Sequence, residues 1–250
     1  MAITIKTPVQ LKDMREGGRI LATILQLLKN QTKAGMTPKD IAHVASQELT
    51  KLGGQPAFLG YKGFPDVICI SVNDQVQHSI PTTRALINGD VVNYDFGVRY
   101  HGLITDAGIS FCLGGQPDAD TDRLLTGTQE ALKSGLRAVR HGGRVGDISA
   151  AIEATLKRYR LGIVRELVGH GVGYQLHEDP EIPNYGLAGQ GPELQTGMTL
   201  AIEPIANLGT QAIVGDPDGW TLWTADHNAS AQFEHTVAVT EDGYKVLTEL

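Results

Sequence analysis

Five residues in this chain combine acid–base or metal-binding chemistry with surroundings that should exclude water: Asp95, Asp106, His170, Glu203 and Glu234. Each acid lies inside or at the end of an apolar run: VVNYDFGV for Asp95, LITDAGIS for Asp106, MTLAIEP for Glu203 and SAQFEHTVAV for Glu234. His170 stands in GHGVG, where small neighbours would let another group approach the ring closely. Buried together, four carboxylates would destabilise a fold unless cations neutralised them. An oxygen-rich set with one nitrogen and no sulfur suits Mn²⁺, Fe²⁺, Co²⁺ or Zn²⁺. The set is too large for one catalytic ion and fits two divalent ions about 3.5–4 Å apart, bridged by carboxylates. Such a pair generates hydroxide near neutral pH and stabilises a tetrahedral oxyanion, which is hydrolytic chemistry. His78 in QHSIP and His177 in LHEDP are further imidazoles able to donate hydrogen bonds or protons.

The elements that must position these groups begin with Val91 to Ser110, two apolar strands turning at Tyr100-His101-Gly102. On the first strand Val92, Tyr94, Phe96 and Val98 take one face and Val91, Asn93, Asp95 and Gly97 the other. A turn centred on Tyr100-His101 or on His101-Gly102 puts Asp95 and Asp106 on one face, directly opposite or diagonal, roughly 5–8 Å apart. Adjacent carboxylates in an apolar sheet require a raised pKa, a basic partner or a metal ion. Arg99, at the turn, is the one basic residue of the two strands.

Helices are expected on either side. Thr7-Pro8-Val9-Gln10 carries an N-cap, a proline at the first helical position and a capping-box glutamine. Leu11, Met14, Gly18, Leu21, Leu25 and Leu28 then mark one helical face. Thr37-Pro38-Lys39-Asp40 starts a second helix with Ile41, Ala45, Leu49 and Leu52 inward, and Gly53-Gly54 stops it. The plan repeats from Thr121, with one helix to about Arg140 and another from about Asp147 to Tyr159. Strands are expected around Val164–Val168, Met198–Glu203 and Phe233–Val239. Asp40-Ile41 and Asp147-Ile148 begin matching helices, and GDVVNYD ending at Asp95 aligns with GMTLAIE ending at Glu203. One domain, residues 1–250, is therefore expected, built as two similar halves of about 1–115 and 116–250.

The composition, 41% hydrophobic and 20% charged over 250 residues, is that of an ordinary globular protein. A net charge of −7 argues against broad attraction to DNA or anionic lipid. The opening MAITIKTPVQ has no apolar signal region and no apolar run reaches membrane-spanning length, so a cytoplasmic protein is expected. Cys69 and Cys112 are the two cysteines, and their spacing matches neither a disulfide framework nor a zinc finger.

The spacing of Asp95 and Asp106, GHGVG at His170, MTLAIEP at Glu203 and SAQFEHTVAVT at Glu234 resemble the type I methionine aminopeptidases. HSIP at His78, HEDP at His177 and the opening PVQLKDMREGGRIL extend the likeness over nearly the whole chain. The resemblance implies a pita-bread α+β fold, two pseudo-symmetric halves each with two helices and antiparallel strands around a central dimetal site. It implies that Asp106 and Glu234 bridge the metals and that Asp95 chelates one of them. His170 and Glu203 complete the other, with Glu203 also taking a proton from the bridging water. His78 would contact the scissile amide or leaving amine, and His177 the oxyanion. Phe58, Tyr61, Phe64, Cys69, Leu176 and Trp220 would enclose the methionine side chain, a setting suited to a polarizable thioether. The implied reaction removes the initiator methionine from nascent polypeptides whose second residue is small, with the ribosome as a candidate partner.

The chain departs from familiar bacterial members at Phe58 and Gln77, where they have cysteine, at Phe64 for tyrosine, and at Ser79 for the glycine of HGIP. These differences bear on pocket shape and leave the ligand set intact. An Xaa-Pro aminopeptidase or prolidase shares the ligand pattern but usually carries a large N-terminal domain. A pita-bread binding protein without catalysis is the rival from another class, and such relatives typically lack ligands that are all present here.

Overall fold

The computed structural model describes residues 3–250. Its first half opens with α1 (Pro8–Gln31) and α2 (Pro38–Lys51). Both start at the expected threonine caps: Thr7 and Gln10 close one capping box, Thr37 and Asp40 the other. The strands β1 (Gln55–Pro56), β2 (Cys69–Val72) and β3 (Gln75–Gln77) follow, then the long hairpin β4 (Val91–Tyr100) and β5 (Leu103–Cys112). In the first sheet β1 and β2 pair with one edge of β4, and β5 pairs with the other, all antiparallel. Val92, Tyr94, Phe96 and Val98 pack beneath the two helices, against Leu21, Ile24, Ile41 and Ala45. The opposite face of β4, carrying Asn93, Asp95 and Gly97, is thereby aimed at the molecular centre.

The second half repeats this order with α3 (Ala119–Ala138) and α4 (Val145–Arg158). The helix expected from Thr121 starts slightly earlier because Asp118 caps it, its Oδ1 accepting from the Thr121 amide at 2.8 Å. Next come β6 (Gly162–Ile163), β7 (Gly169–Gly171), β8 (Glu178–Ile182), β9 (Thr199–Ile202) and β10 (Ile205–Asn207). The chain ends through β11 (Ile213–Gly215), β12 (Leu222–Thr224), β13 (Ser230–Gln232), β14 (His235–Thr240) and β15 (Gly243–Val246). A five-stranded sheet runs β15-β14-β9-β7-β8. Leu200, Ile202, Val237 and Val239 pack under α3 and α4 against Leu132, Ile148 and Ile152. The aligned segments are also alike in backbone: Gly89 and Gly197 both have positive φ, +94° and +91°, two residues before β4 and β9 begin.

Two expected strands are corrected. Residues 164–168 are not a strand; the chain pairs on either side, in β6 and β7, and bends at Arg165-Glu166 between them. The single strand expected over Phe233–Val239 is interrupted at Phe233-Glu234, opposite Glu203-Pro204. Pro204 has no amide hydrogen to offer the ladder, so pairing breaks there and resumes with β10 and β13. This second break carries an acid of the candidate site on each of its two strands, Glu203 and Glu234. Glu234 instead exchanges backbone hydrogen bonds with Gly108 of β5, its amide donating at 2.9 Å, which joins the two halves.

Candidate metal centre

The hairpin pairs Asp95 with Gly108 and Gly97 with Asp106, so the aspartates are diagonal on one face, one of the two expected registers. Asp106 is also tied to the second half, because its amide donates to Thr236 Oγ1 at 2.9 Å and that hydroxyl donates back to the Asp106 carbonyl at 2.7 Å. The break at Phe233-Glu234 brings the Glu234 carboxylate to the same junction. From the other sheet β7 presents His170, paired with Ala201, and Glu203 follows the end of β9. His170 Nε2 lies 3.6 Å from Glu203 Oε1.

All thirteen side chains picked out in the sequence line one cavity of about 180 Å³. Asp95, Asp106, His170, Glu203 and Glu234 form its acidic part, with His78 and His177 beside them. Phe58, Tyr61, Phe64, Cys69, Leu176 and Trp220 form an apolar part, where Phe64 stands edge-on to Trp220 at 5.1 Å and to Phe58 at 6.5 Å. The positions that depart from familiar members are accommodated. Ser79 is fully buried and accepts from Ser71 Oγ at 3.0 Å, and Gln77 donates to Asp95 Oδ2 at 2.9 Å.

Burial sets the electrostatics. It raises the Asp95 carboxyl well above its ordinary range, and the charges of Asp106 and Glu203 add to this. Glu203 and Glu234 are raised in the same way, by burial first and then by the Asp106 charge. Asp106 is pushed up to about 7, again by burial. The imidazoles move in the opposite sense: His78 and His170 are lowered to about 4 and His177 to about 3, in each case chiefly by burial. Their neutral rings are donors and ligands, not counter-charges. Among the described residues no lysine or arginine forms an ion pair with any of the four acids, and Lys62, exposed at the cavity rim, is the nearest cationic lining residue.

The donor set fits a divalent cation. Asp95 Oδ1, Asp106 Oδ1 and Glu234 Oε1 are buried acceptors without a hydrogen-bond partner. One ligand atom from each of Asp106, His170 and Glu234 lies within 4.8 Å of the others. His170 Nδ1 is 2.9 Å from the Gly171 carbonyl, which can only accept, so the ring proton is on Nδ1 and Nε2 is free to ligate.

Three supporting residues, Gln232, Asn93 and Gly108, escaped the sequence reading as parts of the site. Gln232 Nε2 donates to Glu234 Oε2 at 2.8 Å, and Asn93 Nδ2 donates to Gln232 Oε1 at 2.9 Å, forming a buried chain behind the acid. A Cβ on Gly108 would lie 1.9 Å from Gln232 Oε1, so only glycine leaves room for that chain. Lys62, not singled out in the sequence either, lines the cavity without contacting the acids. Polar residues alternating in strands read as a solvent face, which hides such support.

A sequence model of metallopeptidase family M24 matches residues 12–241. Methionine aminopeptidase 1 of Bacillus subtilis is 42% identical over 248 residues, covering 99% of this chain and 100% of its own length. Methionine aminopeptidase of Aquifex aeolicus is 39% identical over 260 residues, covering 100% of both chains. The crystal structure of methionine aminopeptidase from Thermotoga maritima superposes with a TM-score of 0.97 at 38% identity, covering 100% of both chains. Prolidase from Pyrococcus furiosus shares the fold alone, with a TM-score of 0.80 at 21% identity over 98% of this chain and 65% of its own.

Proposed function

The chain belongs to metallopeptidase family M24, and from that premise we propose that it is a methionine aminopeptidase, a hydrolase removing methionine from nascent protein N-termini. The observation that carries this reading is one cavity joining an acidic pole with three unpartnered carboxylate oxygens to an apolar pole lined by Phe58, Phe64, Cys69, Leu176 and Trp220. In our reading residues 1–250 are a single catalytic domain with its site at the junction of two halves. Two divalent ions would be held there, by Asp95, Asp106, His170, Glu203 and Glu234. When bound, they would supply Lewis acidity and lower the pKa of water.

The chain's own groups do the rest. Phe58, Phe64, Cys69, Leu176 and Trp220 take the thioether side chain and exclude water from it. That seating fixes the scissile bond beside His78 and His177. Tyr61 Oη lies 2.9 Å from His177 Nδ1 and the rings are tilted at 5.4 Å. With the phenol donating to Nδ1, the proton of the neutral His177 ring is on Nε2, the form that can donate to an oxyanion. Glu203 is buried beside His170 and suited to take a proton from the attacking water and pass it to the leaving amine. His78 would contact the scissile amide or the leaving amine. Crowding beyond that bond would restrict cleavage to substrates with a small second residue.

No described helix is long and apolar enough to cross a membrane. The proposed action is on newly made chains in the cytoplasm, where the ribosome would present them. The prolidase likeness extends to the fold only, and the presence of all five ligands favours catalysis over a binding role. Asp106→Asn should remove both metal uptake and hydrolysis of Met-Ala-Ser while leaving the circular dichroism spectrum unchanged. Substantial turnover by that variant in saturating Mn²⁺ would overturn the assignment.

A further inference from the structure

We propose that Gln77 is a positioning residue for Asp95, and that the ion site served by Asp95 depends on this carboxamide while the site around His170 does not. The inference rests on the dimetal reading above and concerns how the two sites differ.

Asp106, His170 and Glu234 already converge within 4.8 Å, whereas Asp95 stands outside that group. The three are held by other residues: Asp106 through Thr236, His170 through the Gly171 carbonyl, and Glu234 through Gln232. Asp95 has a different support. Gln77 is 1% exposed, ends β3 and is fixed in direction because its backbone pairs with Leu222 of β12. Its Nε2 donates to Asp95 Oδ2 at 2.9 Å, which sets the carboxylate torsion and leaves Oδ1 without a partner. One oxygen is thus anchored and the other is presented to a cation, the usual division between an outer donor and a ligand.

The test is calorimetric titration of chelator-stripped protein with Mn²⁺, with Tm of the metal-free form measured alongside. Wild type should take up two ions in separable steps, and Asp95→Asn should identify the step that belongs to that carboxylate. Gln77→Met keeps the shape and removes the donor, and it should weaken that same step by about 10–100-fold while leaving the other unchanged. Gln77→Leu, which likewise lacks a donor and cannot ligate a metal, should do the same, which guards against a packing failure peculiar to methionine. Gln232→Met should instead weaken both steps, because Glu234 is shared. Wild-type affinities in both Gln77 variants would overturn the proposal, as would an equal loss at both steps with a lowered metal-free Tm. A single step in wild type would overturn it and leave the metallopeptidase reading standing. No uptake by wild type would remove that reading too.

Discussion

Gly97 offers a direct way to test whether Phe58 walls the methionine pocket. Gly97 lies in β4 opposite Asp106, and a Cβ there would sit 2.6 Å from Phe58 Cε1 and 2.9 Å from the Ala57 Cβ. Ordinary carbon contacts lie at about 3.5–4.0 Å, so Gly97→Ala requires roughly 1 Å of movement. Ala57 is held by its amide N–H, which donates to the Gly97 carbonyl at 3.1 Å, so the Phe58 ring must give way. Phe58 and Phe64 both line the pocket with ring centroids 6.5 Å apart, so displacing the Phe58 ring alters the pocket wall. Overpacking of this size costs about 1–3 kcal/mol, against a gain of about 0.5–1 kcal/mol for replacing glycine in a strand. The net loss, about 1 kcal/mol, should lower Tm by about 2–4 °C. A pocket reduced by about a methylene should lower kcat/KM for Met-Ala-Ser by about 10-fold or more. Phe58→Leu in the same chain should recover much of both losses, giving a coupling of about 0.5–3 kcal/mol. Tm and kcat/KM are measured for the four members of the cycle. Wild-type values for Gly97→Ala, or losses that Phe58→Leu leaves untouched, would refute the steric reasoning.

Other outcomes follow from individual contacts. Lys6 and Glu178 form a buried ion pair at 2.7 Å, so Lys6→Met should cost about 3–5 kcal/mol in urea unfolding, and adding Glu178→Gln should recover most of it. His177→Ala should lower kcat by about 10²–10³ with metal content unchanged, and Tyr61→Phe should cause a smaller loss in the same direction because His177 keeps its ring but loses its orienting phenol. Metal loss in either variant would contradict the assigned role. Burial lowers the His235 imidazole from 6.5 to about 4, so the unfolded chain binds the proton first as pH falls. Stability tied to His235 should therefore be full above pH 6.5 and decline toward pH 4, by up to about 1.4 kcal/mol per pH unit. His235→Gln should flatten that dependence in chelator-stripped protein, and an unchanged slope would show that His235 is not the group responsible.

Much of the site was legible because its residues are costly where they stand. An acid in an apolar strand needs a cation, so Asp95, Asp106, Glu203 and Glu234 could be marked before any contact was known. The helix starts at Thr7 and Thr37 were equally plain, since capping is local chemistry. Alternation limited the hairpin to two registers, and the structure adopts the diagonal one. What could not be read depends on distant partners. Val164 to Val168 has strand-forming residues at its ends, but where the chain bends is decided by packing against β10. The interruption at Phe233-Glu234 needs Pro204 opposite Phe233, which only pairing reveals. Gln77 could be noted as unusual but not assigned to Asp95, because their contact depends on how β2, β3 and β4 are placed together.

The central claim is that the acidic pole holds metal for hydrolysis and the apolar pole selects methionine. Chelator-stripped protein reloaded with Mn²⁺, Fe²⁺, Co²⁺ or Zn²⁺ and given Met-Ala-Ser, Leu-Ala-Ser and Ala-Pro-Ala measures both at once. The account predicts no cleavage without metal, and with metal the release of free methionine far ahead of leucine or alanine. Preference for Ala-Pro-Ala, or equal cleavage with and without metal, would contradict it.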